Sequence, residues 1–384
     1  MRDFSIAAVI VAIVLGIAIG FFTPLGGVVL DRLGTWWSPA PEETPVPESM
    51  SMKGEDIAQE LAEFLVRSQR DDGSFFLRWK CAGSTCELVP EERNIFGYAA
   101  FGLAMVATST GNEKLQEASQ RSMARMLELC QGISQTCSYN FFPLLHALRS
   151  TKDGVYRAAL LKAASSTLSN VRSSSIEASA GGRQFSKMRV LYTLTKNDYY
   201  PNFLRAVADN VLGRWPDEIK GDVLYTTSDG YDVRLYMPLI ASDLFLATYH
   251  ATGDEKYLNE VQAFFKEANI SRNLPAFGWE RGMEAVVQSM EGLLALSRIE
   301  AVPPAEQDAY AEEARTIMRE ILKWQYDSEK NSLFDGSNSI VTGVLIRGDY
   351  SGVNYKNTGL NGRVAGLLTA DIFSEESFDV VGAP

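Results

Sequence analysis

Thr252-Gly-Asp-Glu-Lys256 is one of five short connectors that divide this chain at a spacing of roughly 40 to 55 residues. The other four are Thr110-Gly-Asn-Glu-Lys114, Ser150-Thr-Lys-Asp-Gly154, Thr195-Lys-Asn-Asp-Tyr199 and the segment around Ala301-Val-Pro-Pro304. A period of this length is typical of an array of helical hairpins. Its regularity favours one large domain over several small ones.

Longer stretches lie between these connectors, at 70–90, 130–137, 172–182, 214–231, 269–278 and 326–355. If consecutive helices are antiparallel, the short connectors lie at one end of the array and the longer stretches lie at the other. Loops held by a rigid scaffold carry function more often than tight turns do. We therefore expect a functional site at the long-loop end.

Apolar residues at spacings of three and four predict twelve helices in two alternating sets. One set is amphipathic and charged and is predicted at 54–69, 112–129, 153–171, 198–213, 254–268 and 303–325. The other set is small and apolar on nearly all sides and is predicted at 91–110, 138–149, 183–196, 232–252, 279–299 and 357–373. A helix that is apolar on every face must be buried on every face. The sequence thus predicts six inner helices within a ring of six outer ones.

This alternation, with Gln69-Arg-Asp-Asp-Gly-Ser-Phe75 and Tyr249-His-Ala-Thr-Gly-Asp-Glu-Lys-Tyr-Leu258, resembles the six-hairpin glycosidase superfamily over about residues 54–375. The resemblance implies an all-α fold, an (α/α)6 toroid of six helical hairpins, for residues 54–384. Members of the superfamily include glycoside hydrolases, uronic-acid lyases and epimerases that act on polysaccharides. The shared motifs are architectural, so they indicate a scaffold and not a reaction.

The N-terminal region predicts a transmembrane helix ahead of the toroid. Residues 4–22 carry no charge and are nearly all apolar, about the length that crosses a bilayer. Trp36 and Trp37 suit the membrane interface, so we assign 1–37 to the anchor and 38–53 to a linker rich in proline and glutamate. A signal peptide cleaved near Ala18-Ile-Gly20 is the alternative.

The four cysteines form two local pairs, Cys81 with Cys86 and Cys130 with Cys137. Their placement in or beside long loops favours two disulfides in an oxidising compartment. A zinc ion held by the sulfur atoms and free thiols are the alternatives, although the spacing lacks a CxxC motif. The sequence therefore predicts a single-pass protein of the cell membrane with its globular domain outside the cytoplasm.

Composition and motifs exclude several classes of function. The net charge of −12 argues against nucleic acid as a partner, because no basic face is available. Nucleophile-elbow, zinc-protease, phosphate-loop and dinucleotide-binding motifs are absent from the sequence. We therefore expect neither a metal nor a cofactor.

Polar residues at the starts of the predicted inner helices suit a sugar site. Glycoside hydrolysis needs two carboxyl groups across the scissile bond. Asp232 and Glu280 are the candidate catalytic pair, with Glu284 as a substitute one turn deeper. Helix capping is the alternative role for Asp232 and Glu280. The candidate substrate-binding residues are Arg93, Asn94, Tyr98, Tyr139, Tyr231, Arg234, Tyr236, Trp279, Arg281 and Asn357.

Glu284, Gln288 and Glu291 recur at helical spacing, which predicts that they face the lumen. A structural ion pair with Arg234 or Arg281 is the alternative to a catalytic role for such carboxylates. A lyase or epimerase would instead bind a uronate through arginine and abstract a proton with Tyr, His or Lys. We expect a core or surface role for His146 and His250.

The leading hypothesis is a membrane-anchored domain outside the cytoplasm that binds or cleaves an oligosaccharide or polysaccharide. The competing hypothesis is a non-catalytic toroid that serves as an accessory subunit of a membrane-protein complex or as a cell-surface interaction module. The sequence leaves both open, because none of its motifs is diagnostic of catalysis.

Overall fold

The structure is a computed structural model that describes residues 49–82, 85–90, 93–94, 97–131, 137, 140–173, 183–218, 240–268, 270–273, 282–326, 345–346 and 354–381. These residues belong to one compact unit that spans 48–384. The predicted transmembrane helix at 4–22 and most of the predicted linker lie outside them. Within the described ranges, no helix is both long and apolar enough to cross a bilayer.

Twelve helices of seven or more residues alternate between outer and inner positions in the described chain. The outer helices are α1 (Gly54–Arg67), α3 (Glu113–Leu129), α5 (Gly154–Ser173), α7 (Tyr199–Glu218), α9 (Glu255–Ala268) and α11 (Pro304–Tyr326). The inner helices are α2 (Tyr98–Thr110), α4 (Phe141–Thr151), α6 (Gln184–Thr195), α8 (Leu246–Thr252), α10 (Gly282–Leu296) and α12 (Thr358–Leu368). A π-helical turn, Ala241–Phe245, leads into α8, and short helical segments occupy Ile270–Asn273 and Asp371–Ser374.

The inner helices pack against one another: α2 contacts α4 and α12, α6 contacts α8, and α10 contacts the π-helical turn and α12. Each outer helix packs against the inner helix that follows or precedes it, and α12 returns to contact α2 along most of its length. Gly102 and Gly362 make this contact possible, because a Cβ atom at Gly102 would overlap the carbonyl oxygen of Gly362. The predicted alternation of outer and inner helices is therefore confirmed, and so is the close approach of inner helices at glycine.

Four of the tight turns share one chemistry. The inner helix ends on a threonine, the next residue adopts a left-handed conformation, and an Asn or Asp follows. The left-handed residues are Gly111, Lys152, Lys196 and Gly253. In each turn the backbone N–H of the Asn or Asp donates to the threonine hydroxyl at 3.2 or 3.3 Å. The repeated pattern Thr-x-(Asn or Asp) thus ends an inner helix and starts the next outer one.

The all-α prediction is incomplete, because eight short strands occur in the described residues. Strand β1 (Ser49–Lys53) pairs antiparallel with β8 (Ser377–Val381), so the folded unit includes the last five residues that were assigned to the linker. A second pair joins β2 (Phe75–Phe76) to β5 (Arg93–Asn94). Strand β5 occupies part of the predicted helix at 91–110, which begins only at Tyr98.

The largest sheet has four strands in the order β4-β3-β7-β6. Its strands are β3 (Arg78–Ala82), β4 (Thr85–Leu88), β6 (Leu345–Ile346) and β7 (Asn354–Asn357). They come from the predicted long stretches 70–90 and 326–355, where the backbone groups of an extended chain need partners. Because β7 leads directly into α12, these two stretches meet at the N-terminal end of an inner helix, as predicted.

One predicted disulfide is present. The sulfur atoms of Cys130 and Cys137 are bonded, with their Cα atoms 4.8 Å apart. The backbones of Cys81 and Cys86 lie directly opposite each other in the β3–β4 hairpin. The side chains of Cys81 and Cys86 lie outside the described part of the structure, so their disulfide stays a prediction.

Candidate functional site

A glutamate on inner helix α10 bridges two arginines inside the ring. Glu291 lies 3.0 Å from Arg183, which directly precedes α6, and 2.9 Å from Arg363 on α12. The side chain of Glu291 is 16% exposed and that of Arg363 is 4% exposed. Burial disfavours ionisation of Glu291, but the two guanidinium groups outweigh it and hold the pKa of the carboxyl below its ordinary value. Glu291 is therefore ionised at neutral pH and connects three inner helices.

Aromatic rings extend this ion pair to two more inner helices. The guanidinium of Arg363 lies 4.9 Å from the ring centroid of Tyr98, and that of Arg183 lies 4.5 Å from the ring centroid of Phe142. Both distances are typical of cation–π contacts. Tyr98, Phe142, Arg183, Glu291 and Arg363 together form what we call the lumen network. Since Tyr98, Phe142 and Arg183 stand at the N-terminal ends of their helices, the network lies toward the long-loop end.

Asp243, in the π-helical turn before α8, is a second buried carboxylate. It is 1% exposed and accepts hydrogen bonds from the backbone N–H groups of Phe185 at 3.0 Å and Ser186 at 2.9 Å. These two amides belong to the first turn of α6, where N–H groups have no partner within the helix. Burial raises the pKa of Asp243 to about 6. The π-helical turn thus positions Asp243 to cap the neighbouring inner helix.

Lys187 is a buried cation close to this carboxylate. Its amino group donates to Gln184 at 3.4 Å, and burial lowers its pKa to about 8 despite the favourable charge of Asp243. Such opposite shifts are common in catalytic acids and bases. However, neither Asp243 nor Lys187 lines the pocket between α6, α8 and α10. The role that the described structure shows for Asp243 is therefore structural, because it joins the π-helical turn to the first turn of α6.

A pocket lies between α6, the π-helical turn with α8, and α10. Its empty volume is about 430 Å³, a figure that includes space open to solvent. We call it the inner pocket, and its polar lining residues are Arg183, Ser186, Arg189, Ser242, His250, Gln288 and Glu291. His250 lies in the last turn of α8, beside the tight turn at Gly253. The inner pocket therefore extends to the tight-turn end of the toroid, opposite the end where we predicted the site.

Cationic groups dominate the inner pocket. Burial and the charge of Arg189 lower the pKa of His250 to about 4. The charge of Glu291 is already matched by Arg183 and Arg363. Arg189 has no hydrogen bond or ion pair from its guanidinium within the described structure. The described residues also contain no group of three potential metal ligands. The chemistry of the inner pocket is therefore that of an anion acceptor.

Few of the predicted site residues have described side chains. Tyr98 belongs to the lumen network. Asn357 caps α12, since its side-chain oxygen accepts from the backbone N–H of Leu360 at 3.0 Å. Arg93 and Asn94 form β5 and Glu284 lies in α10, but their side chains are outside the described part. The remaining predicted residues lie outside it altogether: Tyr139, Tyr231, Asp232, Arg234, Tyr236, Trp279, Glu280 and Arg281.

Helical spacing alone does not indicate Asp243, Arg189 or Arg363 as site residues. The partners of Glu291 are Arg183 and Arg363 instead of the predicted Arg234 or Arg281. The signal was present, because each is a charged residue on a helix that is otherwise small and apolar. A charge on such a helix needs a buried partner or a ligand. His250, for which we expected a core or surface role, lines the inner pocket.

Comparison with known proteins identifies the scaffold. No family model matches the chain, and no curated protein sequence matches it significantly. Solved structures do match. Unsaturated glucuronyl hydrolase from Streptococcus agalactiae superposes with a TM-score of 0.56 at 12% identity, covering 82% of this chain and 91% of that one. The α-1,6-mannanase from Salegentibacter sp. HEL1_6 superposes with a TM-score of 0.54 at 12% identity, covering 82% and 98%.

An inactive variant of the same mannanase, in complex with α-1,6-mannotriose, matches with a TM-score of 0.54 at 13% identity, covering 84% of this chain and all of that one. Both enzymes are (α/α)6 toroid glycosidases. At this level of identity the likeness concerns the fold. The chain therefore has the (α/α)6 toroid fold that its helical pattern predicts.

Proposed function

We propose that this chain is a membrane-anchored domain that lies outside the cytoplasm and binds or cleaves carbohydrate. The proposal rests on the toroid fold, which this chain has in common with two glycoside hydrolases that act on different substrates. Solved complexes of these neighbours contain α-1,6-mannotriose and dGlcA-GalNAc6S. In this chain the sugar would bind at the long-loop end, where polar and aromatic residues begin the inner helices.

As a glycoside hydrolase, the protein would use Asp232 and Glu280 as its two carboxyl groups, with Glu284 as the substitute. Asp232 and Glu280 precede the consecutive inner helices α8 and α10 in the chain. The position of Tyr98 supports the choice of this end, because Tyr98 begins α2 beside the cationic lumen network.

The membrane anchor and the location outside the cytoplasm rest on two separate observations. Residues 4–22 have the length and composition of a bilayer-spanning helix. The disulfide between Cys130 and Cys137 supports an oxidising compartment.

A second candidate function is a non-catalytic toroid that acts as an accessory subunit or a cell-surface interaction module. The specific observation in its favour is that two buried carboxylates of the inner ring already have structural partners. Glu291 is held by two arginines and Asp243 caps α6. If the lumen carboxylates serve only to join helices, the domain would bind a partner without turning it over.

The test is an activity assay on the full chain in detergent micelles with a panel of neutral and acidic oligosaccharides, read by mass spectrometry of the products. If the protein is a hydrolase, D232N and E280Q should each lower turnover by several orders of magnitude while the fold is retained. The matched control is E255Q, a carboxylate in the first turn of outer helix α9, which should keep full activity.

Two results would decide against hydrolysis by this pair. If D232N and E280Q turn over substrate as fast as the wild type, these residues are only helix caps. If oligosaccharides bind but no product forms from any of them, the non-catalytic function is the better account.

A further inference from the structure

Among the described residues, Arg189 is a cation whose guanidinium has no partner. Its guanidinium makes no hydrogen bond or ion pair with any described residue, whereas Arg183 and Arg363 both contact Glu291. Burial and the like charges of Arg183 and Arg149 lower the pKa of Arg189, and the opposing effect of Asp243 is smaller. A partly buried charge without a counterion is costly, so native structures usually supply a partner.

The same pocket contains an unused hydrogen-bonding group. The hydroxyl oxygen of Ser242 is buried and has no hydrogen-bond partner in the described structure. Ser242 lies in the π-helical turn, and Gly292 on α10 leaves room for it, since a Cβ atom at Gly292 would overlap its hydroxyl. Buried hydroxyl groups are nearly always hydrogen-bonded, so an orphan group beside a pocket needs an explanation, and a ligand that reaches it would supply the missing partner.

We propose that the inner pocket is a binding site for an oxyanion, a carboxylate or sulfate group held by the guanidinium of Arg189 and the hydroxyl of Ser242. A planar guanidinium binds these groups through two parallel hydrogen bonds. The inner pocket runs from Arg183, directly before α6, to His250 in the last turn of α8. It shares Arg183 and Glu291 with the lumen network, but the proposal does not depend on the sugar-binding function.

The charge balance of the pocket favours an anion over a cation or a neutral ligand. Glu291 is the carboxylate that lines it, and its charge is matched by two arginines. Arg189 therefore leaves an excess positive charge in a protein whose net charge is −12. An oxyanion would provide the counterion for Arg189 and an acceptor for Ser242 at once.

The test measures the melting temperature and binding isotherms of the full chain in detergent with sodium sulfate, sodium acetate and sodium glucuronate. Sodium chloride at equal ionic strength and neutral glucose are the controls. Sulfate, acetate and glucuronate should each raise the melting temperature of the wild type, whereas chloride and glucose should not. R189Q should weaken oxyanion binding about tenfold or more, and S242A should weaken it by a smaller factor.

The unliganded R189Q protein separates a binding role from a structural one. Because the guanidinium of Arg189 has no partner among the described residues, the melting temperature of R189Q without oxyanion should be at least that of the wild type. The matched control is R205Q on outer helix α7, which is exposed and should change neither stability nor binding. A lower melting temperature of unliganded R189Q, an unchanged response of R189Q to oxyanions, or an equal response of the wild type to chloride would overturn the proposal.

Discussion

Glu291 and Glu312 each lie between two arginines, but they differ in how much water reaches them. Glu312 on outer helix α11 pairs with Arg315 and Arg319 and is 55% exposed. Exposed ion pairs contribute little to stability, because water already solvates the charges. Glu291 holds two arginines in the interior, where an unpaired charge is expensive. A glutamate between two arginines therefore stabilises the fold much more at position 291, in the interior, than at position 312, on the surface.

The first prediction follows from this contrast. E291Q should lower the free energy of unfolding by on the order of 3 kcal/mol, because it removes the buried carboxylate that pairs with both Arg183 and Arg363. E312Q, the matched surface control, should cost less than about 1 kcal/mol. Urea denaturation of both variants provides the comparison. Equal losses for the two would show that the lumen network does not stabilise the ring.

The second prediction concerns the pH dependence that Asp243 causes. Burial raises its pKa to about 6, so between pH 4 and 6 the folded state binds a proton that the unfolded state releases. Stability from this group is present at low pH and is lost as the pH rises through 6. The change is about two pKa units, or at most about 3 kcal/mol.

The variant D243N, which cannot titrate, should lack this change. The stability advantage of the wild type over D243N, from urea denaturation, should therefore shrink between pH 4 and 7. The comparison cancels the contribution of His250, whose lowered pKa acts in the same range with opposite sign. An advantage that is constant or grows with pH would contradict the assignment.

At the residue scale, the sequence predicts which face of a helix a side chain occupies better than it predicts which residue that side chain pairs with. The spacing of Gln288 and Glu291 correctly places both on a lumen face. The arginines that pair with Glu291 come from helices far along the chain, at positions 183 and 363. Which of several arginines reaches one glutamate depends on helix packing, which periodicity does not specify.

At the scale of the helix, contact between α2 and α12 depends on glycine. Gly102 and Gly362 bring the two backbones together without side chains between them. The third prediction is that G102A lowers the free energy of unfolding by about 1 to 3 kcal/mol or more, because the added methyl group forces the helices apart. Chemical denaturation measures the loss.

Gly366, on the same helix as Gly362, is the control for this prediction. A Cβ atom there would meet its nearest neighbour at 3.5 Å, an ordinary contact. G366A should therefore be neutral or stabilise the protein by up to about 1 kcal/mol, through the better helix propensity of alanine. If G102A is as well tolerated as G366A, the close contact between α2 and α12 is not needed.

The strands show what helical periodicity misses at this scale. Ser49–Lys53 pairs with Ser377–Val381, at the other end of the folded unit. Each segment alone is too short to indicate a strand, and its partner is distant in sequence. The tight turns, in contrast, can be predicted from the sequence. Their threonine, left-handed residue and Asn or Asp are consecutive in the chain.

At the scale of the whole molecule, the alternation of charged and apolar helices was sufficient to predict the toroid. A helix that is apolar on every side has to be surrounded, and six such helices alternating with six amphipathic ones leave few other arrangements. The site was harder to predict, because acidic residues at helix starts serve equally well as caps. The inner pocket could not be predicted, since its wall combines residues from three helices, including an arginine with no partner in the described part of the chain.

The central claim is that the long-loop end of the toroid binds carbohydrate, and a crystal structure of the full chain grown with a mixture of neutral and acidic oligosaccharides tests it most directly. We predict a sugar at the N-terminal ends of the inner helices, beside Tyr98 and Trp279. The carboxyl groups of Asp232 and Glu280 should flank it at a separation of roughly 5 to 10 Å. A separation of more than about 12 Å, or a sugar bound away from this end, would contradict the account.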